Sequence, residues 1–188
     1  MEAVVILLVI IAVVALAGVL IYNGLVARRN RVDEAVGQIE VQLKRRHDLV
    51  PNLVSAVKGY MDFEQDVLTR VTEARANAVA AGASGQITAQ QAQAENTLTG
   101  ALRSLFAVVE NYPVLKANEN VLSLQEQLTT TENQIGFSRQ HYNATVLDYN
   151  TAIQTFPGNV FAGMFGFTKR DFFDAEPEAE QVPVVQLR

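Results

Sequence analysis

Residues Ala3 to Tyr22 form an unbroken run of Val, Ile, Leu and Ala with a single Gly18, a closing Tyr22 and no charge. At 1.5 Å per residue such a helix spans roughly 30 Å, the thickness of a bilayer's hydrocarbon core. A soluble helix seldom stays apolar on every face for that length, so the pattern predicts a transmembrane helix. A cleaved secretory signal is the competing reading, since Ala15-Leu16-Ala17 offers a cleavage-like site. Glu2, rather than a Lys or Arg, precedes the run, and the run continues past that site. Both facts favour a retained anchor.

Beyond the anchor the apolar positions recur at alternating steps of three and four. The first seam reads Val32, Val36, Ile39, Leu43, Arg46, Val50, Leu53, Val57, Tyr60, Glu64, Val67, Val71 and Ala74. That period is the stripe of a helix packed in a bundle or coiled coil. The register does not slip at Pro51, so the sequence predicts one long helix kinked there and ending near Ala81. The alternative is a new helix capped by Asp48, with Pro51 in its first turn. Gly82-Ala-Ser-Gly85 breaks the chain, and Thr88-Ala-Gln-Gln91 has a capping-box pattern. A second helix then presents Leu98, Leu102, Leu105, Phe106 and Val109 and ends before Pro113. A third starts near Asn118 or Asn120. Its seam is Val121, Leu124, Leu128, Thr131, Ile135, Ser138, Tyr142, Thr145, Tyr149, Ala152 and Phe156, polar for a core. No stretch shows the sustained alternation of a strand. Pro157-Gly158 stops the third helix, one or two helical turns follow to Phe167, and the acidic, Pro-containing end predicts a disordered tail.

The expected fold class is therefore all-α: a single N-terminal transmembrane helix continuing into an elongated antiparallel helical bundle with a long kinked first helix. The expected divisions are 1–23 anchor, 24–168 helical bundle and 169–188 tail. Summing helix lengths along this path places the segment from Phe156 to Phe173 at the membrane-distal end.

Charge sets the orientation. Arg28, Arg29 and Arg31 follow the span, with Lys44, Arg45 and Arg46 beyond, while Glu2 alone precedes it. Basic residues stay on the cytoplasmic side, which predicts a short external N-terminus and a cytoplasmic body. The net charge of −5 argues against nucleic acid as a partner, and the absence of Cys removes thiolate chemistry and disulfides.

Several segments taken together resemble the LemA family of bacterial membrane proteins. They are Tyr22-Asn-Gly-Leu-Val-Ala-Arg-Arg-Asn30, Val41-Gln-Leu-Lys-Arg-Arg-His-Asp-Leu-Val-Pro-Asn-Leu-Val54, Val57-Lys-Gly-Tyr60, Phe156-Pro157 and Phe165-Gly-Phe167. The resemblance covers almost the whole chain in order. It departs at Val36, where the pattern calls for an aromatic residue, and over residues 182–188. It implies a helical bundle on the bacterial inner membrane, with a short external N-terminus and a cytoplasmic body. It brings no catalytic residues to carry over. One branch is associated with magnetosome biogenesis, to which none of these residues points.

Candidate chemistry is sparse. Neither a phosphate-binding loop nor a metalloprotease helix motif is present. His47 beside Asp48 has the composition of a carboxylate-oriented base, but adjacent helix residues do not face each other. No cofactor, metal site or enzymatic activity is expected. The densest charge cluster, from Lys44 to Asp48, reads either as a solvated face or as a docking surface. Arg46 falls on the seam itself and demands an acidic partner, such as Glu64 of another helix. Six of the nine Phe are Phe156, Phe161, Phe165, Phe167, Phe172 and Phe173, a cluster that either caps the bundle core, the favoured reading, or docks a partner, while its expected distal place makes membrane insertion the least favoured. The candidate partner or subunit contacts are Arg45, Arg46, Asp48, Asn52, Lys58, Tyr60, Phe161, Phe165 and Phe167. Arg28, Arg29 and Arg31 are candidate lipid-headgroup contacts, each worth ~1 kcal/mol near an anionic surface. The functional expectation is a membrane-anchored scaffold that homo-oligomerises and docks partner proteins without catalysis. The alternative is an accessory subunit of a membrane enzyme such as a quality-control protease.

Overall fold

The three-four periodicity yields helices throughout, and among the described residues there is no strand. The computed structural model describes residues 1–61, 64–85 and 87–173. Its elements are α1 (Glu2–Lys58), α2 (Gln65–Ala81), α3 (Ala89–Val109), α4 (Pro113–Lys116), α5 (Glu119–Gln154) and α6 (Gly158–Phe165), with a single 3₁₀ turn at Gly82–Ser84. The protein is all-α with bundle-like packing. The expected tail lies largely at 174–188, outside the described residues. Residues 169–173, assigned to that tail by sequence, are packed: Phe173 is fully buried and Arg170 is hydrogen-bonded.

Two sequence signals mark helix starts as expected. The Thr88 hydroxyl accepts from Gln91 N–H at 3.1 Å. Asn118 Oδ1 accepts from the N–H groups of Asn120 and Val121 at 3.0 and 3.3 Å. Each satisfies donors that the first helical turn leaves unpaired.

The first helix does not reach Ala81. It passes unbroken through Pro51 and ends at Lys58. Pro51 has no N–H to give the carbonyl of residue 47. Arg75 of α2 supplies the missing donor, its Nε lying 2.6 Å from His47 O. The break falls instead at Gly59, where a helix interior costs about 1 kcal/mol relative to Ala. Tyr60 N–H closes the last turn onto Val57 O at 3.0 Å. Glu64, expected on the first-helix seam and as a partner for an Arg46 of another helix, precedes α2 and accepts from the Tyr112 hydroxyl at 2.6 Å.

The chain divides into two compact units. The first comprises residues 1–37 and 141–170. Residues 4–17 of α1 are exposed along their whole length, a segment long and apolar enough to cross a membrane. The buried apolar side chains of this unit are Leu25, Val32, Ala35, Tyr142, Val146, Tyr149, Ile153 and Ala162. The second unit comprises residues 38–140 and 171 onward. Its core runs from Val50, Leu53, Val57 and Met61 through Leu68 and Val71 to Leu98, Leu102, Leu105, Val109, Leu115, Val121 and Leu128. The α1 seam is buried as the periodicity requires except at Val36, which is half-buried beside the buried Ala35, and Met61 takes the place expected for Tyr60.

The aromatic segment is not at a membrane-distal end. Phe161, Phe165 and Phe167 pack in the first unit beside Gly18 and Tyr22 of α1. The expected path counted residues 24–81 as one helix. The helix ends at Lys58, so lengths summed along that path do not apply, and within the first unit the end of α5 lies beside the start of α1's polar stretch, where Asp148 pairs with Arg28.

Candidate functional site

The seam that demanded an acidic partner for Arg46 finds two. Arg46 on α1 and Glu95 on α3 are both fully buried, and Arg46 Nη2 donates to Glu95 Oε2. Arg46 Nη1 donates to Glu132 Oε1 of α5 at 2.5 Å and to the Thr99 hydroxyl of α3 at 2.8 Å. The Thr99 hydroxyl also lies 3.2 Å from Glu132 Oε2. His47 Nε2 lies 3.1 and 3.3 Å from the two carboxylate oxygens of Glu95. Three helices are thereby locked in register by one guanidinium, since a buried charge is tolerated only when it is paired and hydrogen-bonded.

Burial alone would raise the Glu95 carboxyl. The hydrogen bond from His47 and the charges of Arg46 and His47 outweigh it and hold Glu95 below the ordinary carboxylate value. The His47–Asp48 pairing entertained from sequence does not form. Asp48 is exposed, and His47 turns to Glu95 instead. Sequence reasoning missed Glu95, although 95, 98, 102, 105 and 109 continue the three-four step of the α3 seam. Its charge made the stripe seem to begin at Leu98.

The remaining candidates of this unit are exposed. Arg45, Asp48 and Asn52 follow Val41 along one outer stripe of α1, at steps of four, three and four, and Val41 is 64% exposed. Lys58 and Tyr60 are exposed at the end of α1.

In the first unit, the Tyr22 ring centroid lies 4.8 Å from that of Phe165 and 5.9 Å from that of Phe167. Phe161 and Phe165 stack at 6.5 Å, and the Arg29 guanidinium sits 5.4 Å over the Phe167 ring. Arg28 Nε pairs with Asp148 of α5 at 3.1 Å, which leaves Arg29 and Arg31 as the exposed cations just past the span. The segment after α6 is clamped to α5. Asn150 Oδ1 accepts from Arg170 N–H at 3.0 Å, and its Nδ2 donates to Arg170 O at 2.9 Å. Tyr149 donates its hydroxyl to Thr168 O at 2.9 Å. Arg170 Nη2 reaches Asp33 at 2.9 Å. Burial pushes the Tyr149 hydroxyl above its ordinary value, against the opposing charges of Arg170 and Arg29.

Comparison with known proteins is consistent with this architecture. Residues 35–187 match the model of the LemA family. The magnetosome protein MamQ 2 of Paramagnetospirillum magneticum is 26% identical over 94% of this chain and 73% of its own length. MamQ of Magnetospirillum gryphiswaldense is 25% identical over 87% of this chain and 68% of its own. Protein LemA of Metamycoplasma hominis is 26% identical over 86% and 72%.

Proposed function

The chain belongs to the LemA family, and from that premise we propose that it is a membrane-anchored helical scaffold that self-assembles and presents its outer helix faces to partner proteins without catalysing a reaction. One observation carries the reading: a single uninterrupted helix, α1, holds both the exposed apolar span and the core positions of the body from Val32 to Val57. The chain thus passes from span to body as one helix with no linker, which suits a presenting scaffold. The charged side chains most suited to chemistry, Arg46, His47, Glu95 and Glu132, are spent on one another. Surface left over for association includes Val41, Arg45, Asp48 and Asn52 on α1 and Phe137 on α5, the last 74% exposed. The positive flank of Arg28, Arg29 and Arg31 supports a cytoplasmic body with the N-terminus outside.

The test is light scattering of the full-length protein in mild detergent, where a protein mass at a multiple of 20.6 kDa is expected. A monomeric mass overturns self-assembly. Protease protection in oriented membrane vesicles checks the topology, and a body sheltered on the far side reverses it. Tyr60, an aromatic 47% exposed beside Lys58, favours a second reading in which this end of α1 docks a membrane enzyme. In that case crosslinking through position 60 captures a heterologous membrane protein rather than a second copy.

A further inference from the structure

α6 carries Gly158-Asn-Val-Phe-Ala-Gly-Met-Phe165 and has two apolar faces. One face is turned inward: Ala162 is buried, and the Phe161 ring packs so closely on α1 that a Cβ on Gly18 would lie 3.2 Å from Cε1 and Cζ. The other face bears Val160 and Met164, one helical turn apart, and Phe156 is exposed in the turn that leads into the helix. Their exposures are 83% for Phe156, 49% for Val160 and 72% for Met164, and the adjoining Phe165 is 55% exposed.

The level of these residues along α1 decides what covers them. Gly18 stands four residues inside the end of the uncharged run, or about 6 Å within the span. A ring in contact with the backbone at that depth shares its surroundings. Phe156 independently marks the same level, since it lines one groove with Leu20 and Ile21 of the span. Tyr22, at the end of the run, packs on Phe165 and Phe167, and Arg29 sits over Phe167. That sequence of apolar, aromatic and cationic groups is the layering of a bilayer edge. The backbone of this segment is also suited to a medium that offers few hydrogen bonds. Asn159 N–H bonds Thr155 O at 2.9 Å, Val160 N–H bonds Pro157 O at 3.2 Å, and Phe167 N–H bonds Ala162 O at 3.0 Å. Gly166 closes the helix at φ +71°, a conformation a side chain would resist.

We propose that α6 is a second membrane element: a short helix seated in the leaflet from which α1 emerges towards the body, with Phe156, Val160 and Met164 against lipid acyl chains. The inference rests on the proposed span in α1. The occupant of the outer face is lipid because that face is continuous with the exposed surface of the span, and because the exposed cations Arg29, Arg31 and Lys169 lie just beyond the aromatic layer, where phosphates would be.

The chain contains no Cys, so single-site labelling needs no prior substitution. Full-length Met164→Cys, Val9→Cys and Phe137→Cys variants carry an environment-sensitive fluorophore in vesicles of phosphatidylcholine and phosphatidylglycerol. Nitroxides are placed shallow or deep on the lipid chains, and iodide is added to the water. At position 164 the shallow nitroxide is expected to remove most of the emission and iodide little. Position 9 is quenched by the deep nitroxide, and position 137 by iodide alone. Should 164 respond to iodide as 137 does while 9 keeps its lipid quenching, the α6 proposal fails and the anchor stands. Loss of lipid quenching at both 9 and 164 overturns the anchor together with α6. Shielding of 164 from both quenchers assigns the face to a second copy of this chain and overturns lipid occupancy.

Discussion

Replacing Arg46 with methionine keeps much of the side-chain volume and removes the charge that joins α1 to α3 and α5. The Arg46 and Glu95 side chains have no exposed surface, whereas that of Glu132 is 26% exposed and can turn to water. Breaking one member of a buried pair costs ~3–5 kcal/mol, because the partner charge stays behind, while replacing both by apolar residues is often neutral or stabilising. Glu95 keeps its contact with His47 at 3.1 Å, which places the expected loss at the low end of that range. For a chain of this size each kcal/mol moves the melting temperature by about 2–4 °C, so Arg46→Met should lower it by roughly 6–12 °C. The Arg46→Met/Glu95→Leu pair should recover most of the loss. The measurement is thermal unfolding of the full-length protein in mild detergent, followed by far-ultraviolet circular dichroism. A single variant that melts with the wild type, or a double variant that melts as low as the single, refutes the claim that the cost is an unpaired buried charge. The same protein gives a check by pH. Glu95 is held below its ordinary value of 4.5 in the folded state. Its stabilisation is fully present above the unfolded value and is lost as pH falls through the folded one. The wild type should therefore lose melting temperature on acidification below 4.5 more steeply than the double variant.

Three further outcomes follow from single contacts. Arg75→Leu should destabilise the wild type by ~1.5–3 kcal/mol, because a charged donor to the His47 carbonyl is lost, and should cost clearly less in a Pro51→Ala background, where residue 51 regains an N–H; denaturant titrations of the four-member cycle with no coupling would refute the link between the two residues. Tyr149→Phe should cost about 1 kcal/mol at neutral pH by leaving Thr168 O unpaired. Because the folded Tyr149 value is raised, the wild type's stability holds below the ordinary value of 10.0 and falls as pH rises past it, a slope the Phe variant should lack in alkaline melts. Gly158→Ala should destabilise by at least ~1–3 kcal/mol, since the new Cβ would meet Ala152 O at 2.1 Å and the backbone must move; limited proteolysis between α5 and α6 at the wild-type rate would contradict this.

Much of this molecule follows from its sequence because it rests on local period and local caps. The run from Ala3 to Tyr22 is legible from composition, and the seam from Val32 to Val57 is legible because burial on a helix repeats every three or four residues. Thr88 and Asn118 are legible because a cap is a bond between neighbours in the chain. Other features depend on residues far apart in sequence. The expected seam crosses Gly59 through Tyr60, Glu64 and Val67, whereas Met61 and Leu68 enter the core beside Val57; both sets keep the three-four step, so the real break leaves no mark on the pattern. Pro51 stays inside a helix because Arg75, on the following helix, replaces the bond it lacks. The demand of Arg46 for an acid was readable from its seam position, but the choice of Glu95 and Glu132 over Glu64 was made by which helices pack together. The Phe-rich segment reads locally as a core cap before a docking patch or a membrane contact. Its position beside Gly18 and Tyr22 was decided by the path of the whole chain, because apolar side chains carry no directional preference until a partner surface is supplied.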